Sequence, residues 1–281
     1  MTDTLGTAIA DRTRRHYATL LAPIYRWMLG DFPSALERSR AELAELGIGA
    51  ARRPARALDL GAGLGLQTIP LAGLGYEVTA VDCSEALLSE LSTACPGARA
   101  VHADLAHFGA FLAGTYDVIV CMGDTLTHLR SHQEVSMLLD AASAHLAPGG
   151  LFLLTFRDYS GPPRSSADRF VLVRGDPERI LACRLDYGAD RVLVTDLVHE
   201  LAAGRWSLRT SHYEKLRLSP SAIASAMSAA GLFVERCEST GGRVAIAARG
   251  PTFAESSETH YAIRHAGSPA QSNSRSSSSS P

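Results

Sequence analysis

The chain has 281 residues, 46% of them hydrophobic, which is enough to bury the core of an α/β domain. Its formal net charge of -2 at pH 7 leaves no basic footprint for nucleic acid, so DNA and RNA are poor candidates as partners. Five cysteines without paired or metal-type spacing favour a reducing cytoplasm and no metal, and no long apolar run near the amino terminus indicates a signal peptide or a membrane span.

The first 50 residues are predicted to be helical. The stretches YATLLAPIYRWML and SALERSRAELAELGI carry apolar residues at helical spacing, and Gly47 and Gly49 then offer a stop. We expect these helices to close as a lid over the domain that follows, residues 51–250, and Tyr17 or Tyr25 to touch the ligand bound there.

From Arg56 to about Arg157, short apolar strands alternate with helices. The strand candidates are ALDLG, EVTAVD, ARAVHAD, YDVIVCM and LFLLTF, which are apolar on both faces, as buried parallel strands are. The helix candidates between them are LQTIPLAGLG, EALLSELSTA and HQEVSMLLDAASAHLAPGG, and Pro70 is expected to bend the first of these slightly. This alternation implies right-handed crossovers and predicts an α/β fold with a doubly wound, mostly parallel sheet.

The pattern changes between Phe170 and Leu218. RFVLV, RILACRLDY, RVLVTDLVHEL and WSLRTSHYEKLRL alternate apolar and polar residues, which predicts an antiparallel insertion at about 169–218 with one exposed face. SPSAIASAMSAAG then reads as a helix capped by Ser219, and LFVERCES and GRVAIAAR supply two more strands, for a seven-stranded Rossmann-like sheet. The serine-rich segment 251–281 is predicted to be disordered.

The glycine-rich turn GAGLGL follows the first strand, and by itself it does not identify the ligand that binds there. The G-x-G-x-x-G/A fingerprint of NAD sites needs a small last residue for close packing of helix on strand, and Leu66 stands there, which weakens the NAD interpretation without eliminating it. A Walker loop is absent, because no Gly-Lys-Ser/Thr follows. The turn could also be purely structural, with Asp82 or Ser84 as a helix cap and Asp104 as a turn residue.

The pattern D-x-G-x-G-x-G directly after the first strand, with an acid ending the second, resembles class I S-adenosylmethionine-dependent methyltransferases over roughly residues 56–157. The resemblance implies S-adenosylmethionine as cofactor, with Asp82 on the ribose hydroxyls and Asp104 near the adenine amino group. Asp59 is expected to face the methionyl ammonium through a water or to cap the turn. The predicted cofactor-binding residues are Tyr17, Tyr25, Asp59, Gly61, Ala62, Gly63, Asp82, Cys83, Asp104, Leu105 and Met122.

Two later segments resemble glycine/sarcosine N-methyltransferases, which act on small molecules. MGDTLTHL, residues 122–129, is similar to their Gly-Asn-Ser-x-x-His-Leu segment, and LFLLTFRDYSG resembles the strand that leads to an arginine clamping an amino-acid carboxylate. The resemblance implies methyl transfer to the nitrogen or oxygen of a small metabolite, with nitrogen favoured. The catalytic candidates are His128 and Asp124, and the substrate-binding candidates are Thr125, Arg157, Tyr159, His212 and Tyr213.

Two other functions stay open for the sequence alone. One is an NAD(P)-dependent oxidoreductase, which Leu66 and the lack of a Tyr-x-x-x-Lys pair disfavour. The other is a non-catalytic S-adenosylmethionine-binding protein, which composition does not distinguish from an enzyme. His128 could act as a base, orient the acceptor or simply pack near the cofactor, and a homo-oligomer is possible.

Overall fold

Eleven strands form two sheets in the part of the chain that the computed structural model describes, residues 12–163, 165 and 167–252. The strands are β1 (Ala55–Leu60), β2 (Tyr76–Asp82), β3 (Arg99–His102), β4 (Tyr116–Cys121), β5 (Leu146–Arg157), β6 (Phe170–Gly175), β7 (Arg179–Tyr187), β8 (Arg191–Ala202), β9 (Arg205–Leu216), β10 (Phe233–Thr240) and β11 (Arg243–Arg249).

The main sheet has seven strands in the order β10-β11-β5-β4-β1-β2-β3. Strands β1 to β5 pair in parallel, whereas β11 runs antiparallel to both β5 and β10. The predicted doubly wound, mostly parallel sheet is therefore confirmed. Strand β1 lies between β2 and β4, so the chain leaves it toward one side of the sheet and later returns to its other side, which opens a crevice at the carboxyl ends of β1 and β4.

In the described residues, six α-helices pack on this sheet or precede it, in addition to the helical residues 12–16. They are α1 (Tyr25–Leu29), α2 (Phe32–Glu45), α3 (Thr68–Gly73), α4 (Glu85–Ala94), α5 (His132–His145) and α6 (Pro220–Ala229). Three of these helices have serine as their N-cap. The side chains of Ser84, Ser131 and Ser219 each accept a hydrogen bond from a backbone N–H in the first turn of their helix. The predicted cap at Ser219 is thus confirmed.

The helix that contains Pro70, α3, begins later than the sequence pattern suggests. Its first residue is Thr68, so Pro70 is the third residue of the helix. The N–H of Ile69 donates to the carbonyl of Gly65 and that of Leu71 to the carbonyl of Gln67, both at 3.0 Å, whereas Pro70 has no N–H to make the bond between these two. The bend expected at Pro70 stays a prediction.

The N-terminal helical segment, residues 12–29, is irregular around a proline. A π-helical turn, Tyr17–Leu21, and a 3-10 turn, Ala22–Ile24, precede α1, with Pro23 inside the second turn. Proline lacks an N–H and crowds the carbonyl four residues earlier, so the backbone widens before it and tightens after it. Apolar side chains of this segment pack with Leu181 and Val198 of the second sheet.

The second sheet is the predicted antiparallel insertion, with strand order β6-β7-β8-β9. Burial along β8 alternates strictly, and the buried face carries Val192, Val194, Asp196 and Val198. Because strand residues alternate between faces, one face of this sheet turns inward while the other stays in contact with water.

No helix among the described residues is long and apolar enough to cross a lipid bilayer. The segment predicted to be disordered, 251–281, lies outside the described residues from 253 onward, as do residues 1–11 of the predicted lid. The domain boundaries at residues 50 and 250 stay predictions.

Candidate active site

The turn after β1 brings bare backbone to the crevice. Gly61 has φ +81°, where a side chain is strained, and a Cβ added there would lie 2.5 Å from Thr125 Oγ1. The N–H of Gly61 donates to the carbonyl of Val81 at 2.8 Å, which ties the turn to the end of β2. Three residues of the turn that were predicted to bind the cofactor line a cavity: Gly61, Ala62 and Gly63.

Asp82, the last residue of β2, points toward this turn. Its Oδ2 accepts a hydrogen bond from the N–H of Gly63 and its Oδ1 from the N–H of Ser84, both at 2.8 Å. Burial raises the pKa of Asp82, and these backbone donors offset part of the rise. Ser84, and not Asp82, caps α4, so the carboxylate lies against the glycine turn with lone pairs left for a ligand.

Asp59 is a buried carboxyl in β1, two residues before the turn, with 1% of its surface exposed. Its Oδ2 accepts a hydrogen bond from Thr68 Oγ1 at 2.6 Å, whereas Oδ1 has no hydrogen-bond partner among the described residues. Burial raises the pKa of Asp59 to about 7; the hydrogen bond from Thr68 opposes the rise and the charge of Asp82 adds to it. A buried oxygen without a partner suits an N–H donor or a cation.

Asp104 begins the 3-10 helix Leu105–Phe111. Its Oδ1 accepts a hydrogen bond from the N–H of Ala106 at 3.0 Å, and Arg14 and Arg130 lie 3.5 and 3.7 Å from its Oδ2. Four residues predicted to hold the ribose and adenine lie outside the lining of the cavity: Asp82, Cys83, Asp104 and Leu105. Their contacts with a cofactor stay predictions.

The cavity lies between the glycine turn and the antiparallel sheet and has a volume of about 520 Å³. Ligand sites for small molecules usually enclose about 300–1,000 Å³. Met122, Gly123, Asp124, Thr125 and His128 line it from the segment after β4. The inner face of the antiparallel sheet supplies an apolar wall made of Val171, Val173, Leu181, Leu185 and Val194.

A buried ion pair joins the two sides of the cavity. Asp124 pairs with Lys215 of β9, and its oxygens also accept from the N–H of Arg157 at 2.8 Å and the hydroxyl of Tyr159 at 3.3 Å. Burial alone would raise the pKa of Asp124, but Lys215 and the N–H of Arg157 outweigh it and lower the pKa to about 2. Burial would lower the pKa of Lys215, and Asp124 reverses this. Asp124 is therefore ionised and a poor proton acceptor.

His128, at the end of the 3-10 turn Thr125–His128, lies between two tyrosine rings. It stacks on Tyr213 with centroids 5.3 Å apart, and the hydroxyl of Tyr17 is 3.4 Å from its Nε2. Its Nδ1 is buried without a hydrogen-bond partner among the described residues. Burial, followed by the charge of Lys215, lowers the pKa of His128 to about 3. The ring is thus neutral near pH 7 and suits hydrogen bonding more than proton uptake.

Tyr17 and Tyr25 bring the N-terminal segment to the glycine turn, and both line the cavity. The Tyr25 ring reaches within 3.8 Å of the position that a Cβ on Gly63 would take. Burial, together with the charge of Asp82, raises the pKa of Tyr25 to about 12, so its hydroxyl is neutral. The centroids of the Tyr17 and Tyr25 rings lie 6.4 Å apart.

One predicted substrate-binding residue does not face the cavity. Thr125, Arg157, Tyr159 and Tyr213 line it, but His212 is exposed. Consecutive residues of a strand point to opposite faces, so the inward position of Tyr213 in β9 turns His212 outward. His212 thus lies outside the lining of the cavity, and its contact with a substrate stays a prediction.

Sequence patterns alone do not single out three buried polar residues at this site: Lys215, Asp196 and His16. Lys215 is the single lysine of the chain, which is a usable signal, since every other basic position that is not histidine holds arginine. Asp196 interrupts a valine alternation on β8, which marks a carboxylate facing inward. Nothing in the N-terminal pattern distinguishes His16 from its neighbours.

Residues 57–150 match the family model described as a methyltransferase domain. The glycine/sarcosine N-methyltransferase of Halorhodospira halochloris is 28% identical over 114 residues, 39% of this chain and 42% of that protein. A ubiquinone biosynthesis O-methyltransferase of Caulobacter sp. (strain K31) is 34% identical over 106 residues, 35% of this chain and 39% of that protein. The chain spans about two fifths of the length of these curated relatives.

Solved structures give the same fold. A sugar N-methyltransferase from Streptoalloteichus sp. matches with a TM-score of 0.64 at 18% identity, covering 81% of this chain and 91% of that chain. The matched domain coincides with the strands and turn that form the crevice, and the strand order extends the likeness to the rest of the main sheet. Residues 57–150 are therefore similar to methyltransferase domains, and the chain shares its fold with methyltransferases of solved structure.

Proposed function

We propose that the protein transfers a methyl group from S-adenosylmethionine to the nitrogen of a small-molecule amine. The observation that carries this proposal is the continuity of the cavity, which extends from the glycine turn past Asp124 and His128 to the antiparallel sheet. A cofactor on the turn and an acceptor against the sheet then meet in one enclosed space of about 520 Å³. Such a volume suits a metabolite and is too small for a folded macromolecule.

The residues around the glycine turn fit the cofactor. The bare backbone of Gly61 and Gly63 leaves room for its methionyl part, and the unpaired Oδ1 of Asp59 offers an acceptor for the methionyl ammonium. Asp82 lies where it can accept from the ribose hydroxyls. Tyr17 and Tyr25 cover this end of the cavity, and their neutral rings exclude water from a positively charged sulfonium.

When bound, S-adenosylmethionine would supply an electrophilic methyl carbon to the lone pair of the acceptor nitrogen. As the C–N bond forms, the C–S bond breaks with its electron pair left on sulfur, and the nitrogen loses one proton. The protein therefore contributes mainly alignment of the two reactants, which can supply roughly 7–11 kcal/mol. Asp124 and Lys215 hold the antiparallel sheet against the segment after β4, which fixes the distance between the two ends of the cavity.

His128 and Asp124 serve this reaction as positioning groups. A histidine with a pKa near 3 and a carboxylate with a pKa near 2 both take up protons poorly at neutral pH. In this proposal, solvent water accepts the proton that the nitrogen loses. The buried Nδ1 of His128 has hydrogen-bonding capacity to spare for the acceptor.

We extend the proposal to the organisation of the chain and its compartment. Residues 1–50 act as a lid, residues 51–250 form the catalytic domain, and the insertion at about 169–218 binds the acceptor. The five cysteines are free of disulfides, which fits a reducing cytoplasm.

Two measurements test the proposed function. Calorimetric titrations with S-adenosylhomocysteine and with NAD, side by side, should give binding for the first and none for the second. Turnover is then measured as S-adenosylhomocysteine formed from S-adenosylmethionine with paired amines and alcohols of the same carbon skeleton, and we expect product with amines.

The other outcomes contradict the proposal in distinct ways. Product with alcohols alone moves the acceptor atom to oxygen. Binding of S-adenosylhomocysteine without turnover on either series indicates a non-catalytic binding protein. No binding of S-adenosylhomocysteine removes the cofactor assignment itself.

A further inference from the structure

Asp196 is a buried carboxylate that faces the cavity from the middle of β8, with 2% of its surface exposed. Its Oδ1 accepts a hydrogen bond from the thiol of Cys183 at 2.8 Å. Its Oδ2 lies 3.0 Å from Nε2 of His16, yet neither ring nitrogen of His16 makes a hydrogen bond of good geometry with any described residue. Carboxylate and imidazole are both buried here with hydrogen-bonding capacity to spare, which is costly without an occupant.

Of the three strong cations that line the cavity, Lys215, Arg243 and Arg157, the first two are engaged in ion pairs, and the Arg157 side chain forms none with a described residue. Lys215 pairs with Asp124, and Arg243 pairs with Glu42 at 2.6 Å. Among the ion pairs of the described residues, the basic partner of Asp196 is His16. Asp196 therefore differs from Asp124, whose oxygens already accept from three donors, and it is the carboxylate of the cavity wall best able to receive a cationic ligand.

Aromatic rings lie on the His16 side of this carboxylate. Tyr213 is tilted against His16, at a centroid distance of 4.3 Å, and stacks on His128, at 5.3 Å. Aromatic faces attract an ammonium group, so rings beside a carboxylate form a suitable surround for a cationic amine. The apolar wall of the same cavity then meets the remainder of the ligand.

We propose that Asp196 binds the amine of the methyl acceptor in its ammonium form, and that the acceptor is a primary or secondary amine on a largely apolar body. This inference rests on the proposed function and adds the residue and the substrate class. The ammonium N–H groups donate to the Asp196 oxygens, with the rings of Tyr213 and His16 alongside. Asp196 is a positioning residue for the nitrogen before it loses its proton.

Cyclohexylamine and cyclohexanol test the proposal as probes, because they share one ring and differ in charge. Each is titrated into protein saturated with S-adenosylhomocysteine. The wild type should bind cyclohexylamine, and Asp196→Asn should weaken that binding by about ten-fold or more, since a hydrogen bond to a charged group contributes about 1.5–3 kcal/mol. In turnover with cyclohexylamine, the same variant should raise KM far more than it lowers kcat.

The matched control is Asp186→Asn on β7, where the carboxylate pairs with Arg184 and lies outside the lining of the cavity. This variant should leave both affinities unchanged. Equal binding of cyclohexylamine by wild type and Asp196→Asn overturns the proposal, as does a parallel loss of S-adenosylhomocysteine affinity, which would mark Asp196 as a purely structural partner of His16.

If Asp196→Asn does not fold, the affinities of the wild type for the two probes are compared instead. Equal affinity for cyclohexylamine and cyclohexanol overturns the proposal, and a clear preference for the amine supports it. Failure of this inference leaves S-adenosylhomocysteine binding and turnover by the wild type intact. Failure of the proposed function removes one or both of them, so the two results are distinguishable.

Discussion

Replacing Asp59 by asparagine should stabilise the protein at neutral and higher pH while weakening cofactor binding. Asp59 is buried in β1, and one of its oxygens has no partner among the described residues. The substitution keeps the shape of the side chain and its contact with Thr68, and removes the ability to carry a negative charge.

The expected magnitude follows from the pKa of this carboxyl. Burial raises it from 3.8 to about 7, so the ionised form is disfavoured in the folded protein by roughly 4 kcal/mol. Because the folded pKa is the higher one, the stability that Asp59 contributes is fully present below the unfolded pKa of 3.8 and is lost as the pH rises through about 7. The advantage of Asp59→Asn should therefore grow from near zero at acid pH to a plateau of a few kcal/mol above pH 7.

Urea and thermal unfolding of both proteins, from about pH 5 to about pH 8, measure this difference, and about 1 kcal/mol shifts the Tm of a chain of this size by roughly 2–4 °C. The matched control is Asp140→Asn on α5, which makes the same substitution at an exposed position. Calorimetry should show that Asp59→Asn binds S-adenosylhomocysteine about ten-fold or more weakly at pH 8, because the methionyl ammonium loses a charged acceptor.

A stability difference between wild type and Asp59→Asn that is constant over this pH range would refute the raised pKa. An unchanged affinity for S-adenosylhomocysteine at the higher pH would refute the assignment of Asp59 to the methionyl ammonium. The two results are independent, so each part of the reasoning fails separately.

Three further predictions concern the cavity. Asp82→Ala should lower the affinity for S-adenosylhomocysteine by about a hundred-fold or more in calorimetry, because two hydrogen bonds to a charged acceptor contribute about 1.5–3 kcal/mol each; unchanged affinity would reject the ribose assignment. Lys215→Met should lower the free energy of unfolding in urea by about 3–5 kcal/mol, because it leaves Asp124 charged and buried, and adding Asp124→Asn should recover part of the loss. His128→Ala should slow turnover by less than ~100-fold, the lower end of the effect of a general base. A larger loss in kcat would identify His128 as the group that removes the proton.

The sequence by itself determined the main sheet and the position of the glycine turn. Short apolar strands that alternate with helices allow few topologies. The turn after the first strand has positive φ at Gly61, a conformation that glycine adopts without strain. Asp82 falls beside that turn because neighbouring parallel strands end at one edge of the sheet. These features depend on residues close together in the sequence, on the spacing of apolar residues and on the handedness of the crossover connections.

Only the tertiary structure decided which residues of the antiparallel sheet face the cavity. Alternation on β8 and β9 reveals two faces but not which one turns inward, so the sequence did not show that His212 is exposed or that Asp196 faces the cavity. The pairs Lys215–Asp124 and His16–Asp196 join segments far apart in the chain, and their formation depends on how the antiparallel sheet docks on the crevice. Docking is set by the summed packing of many side chains, which no short stretch of sequence specifies.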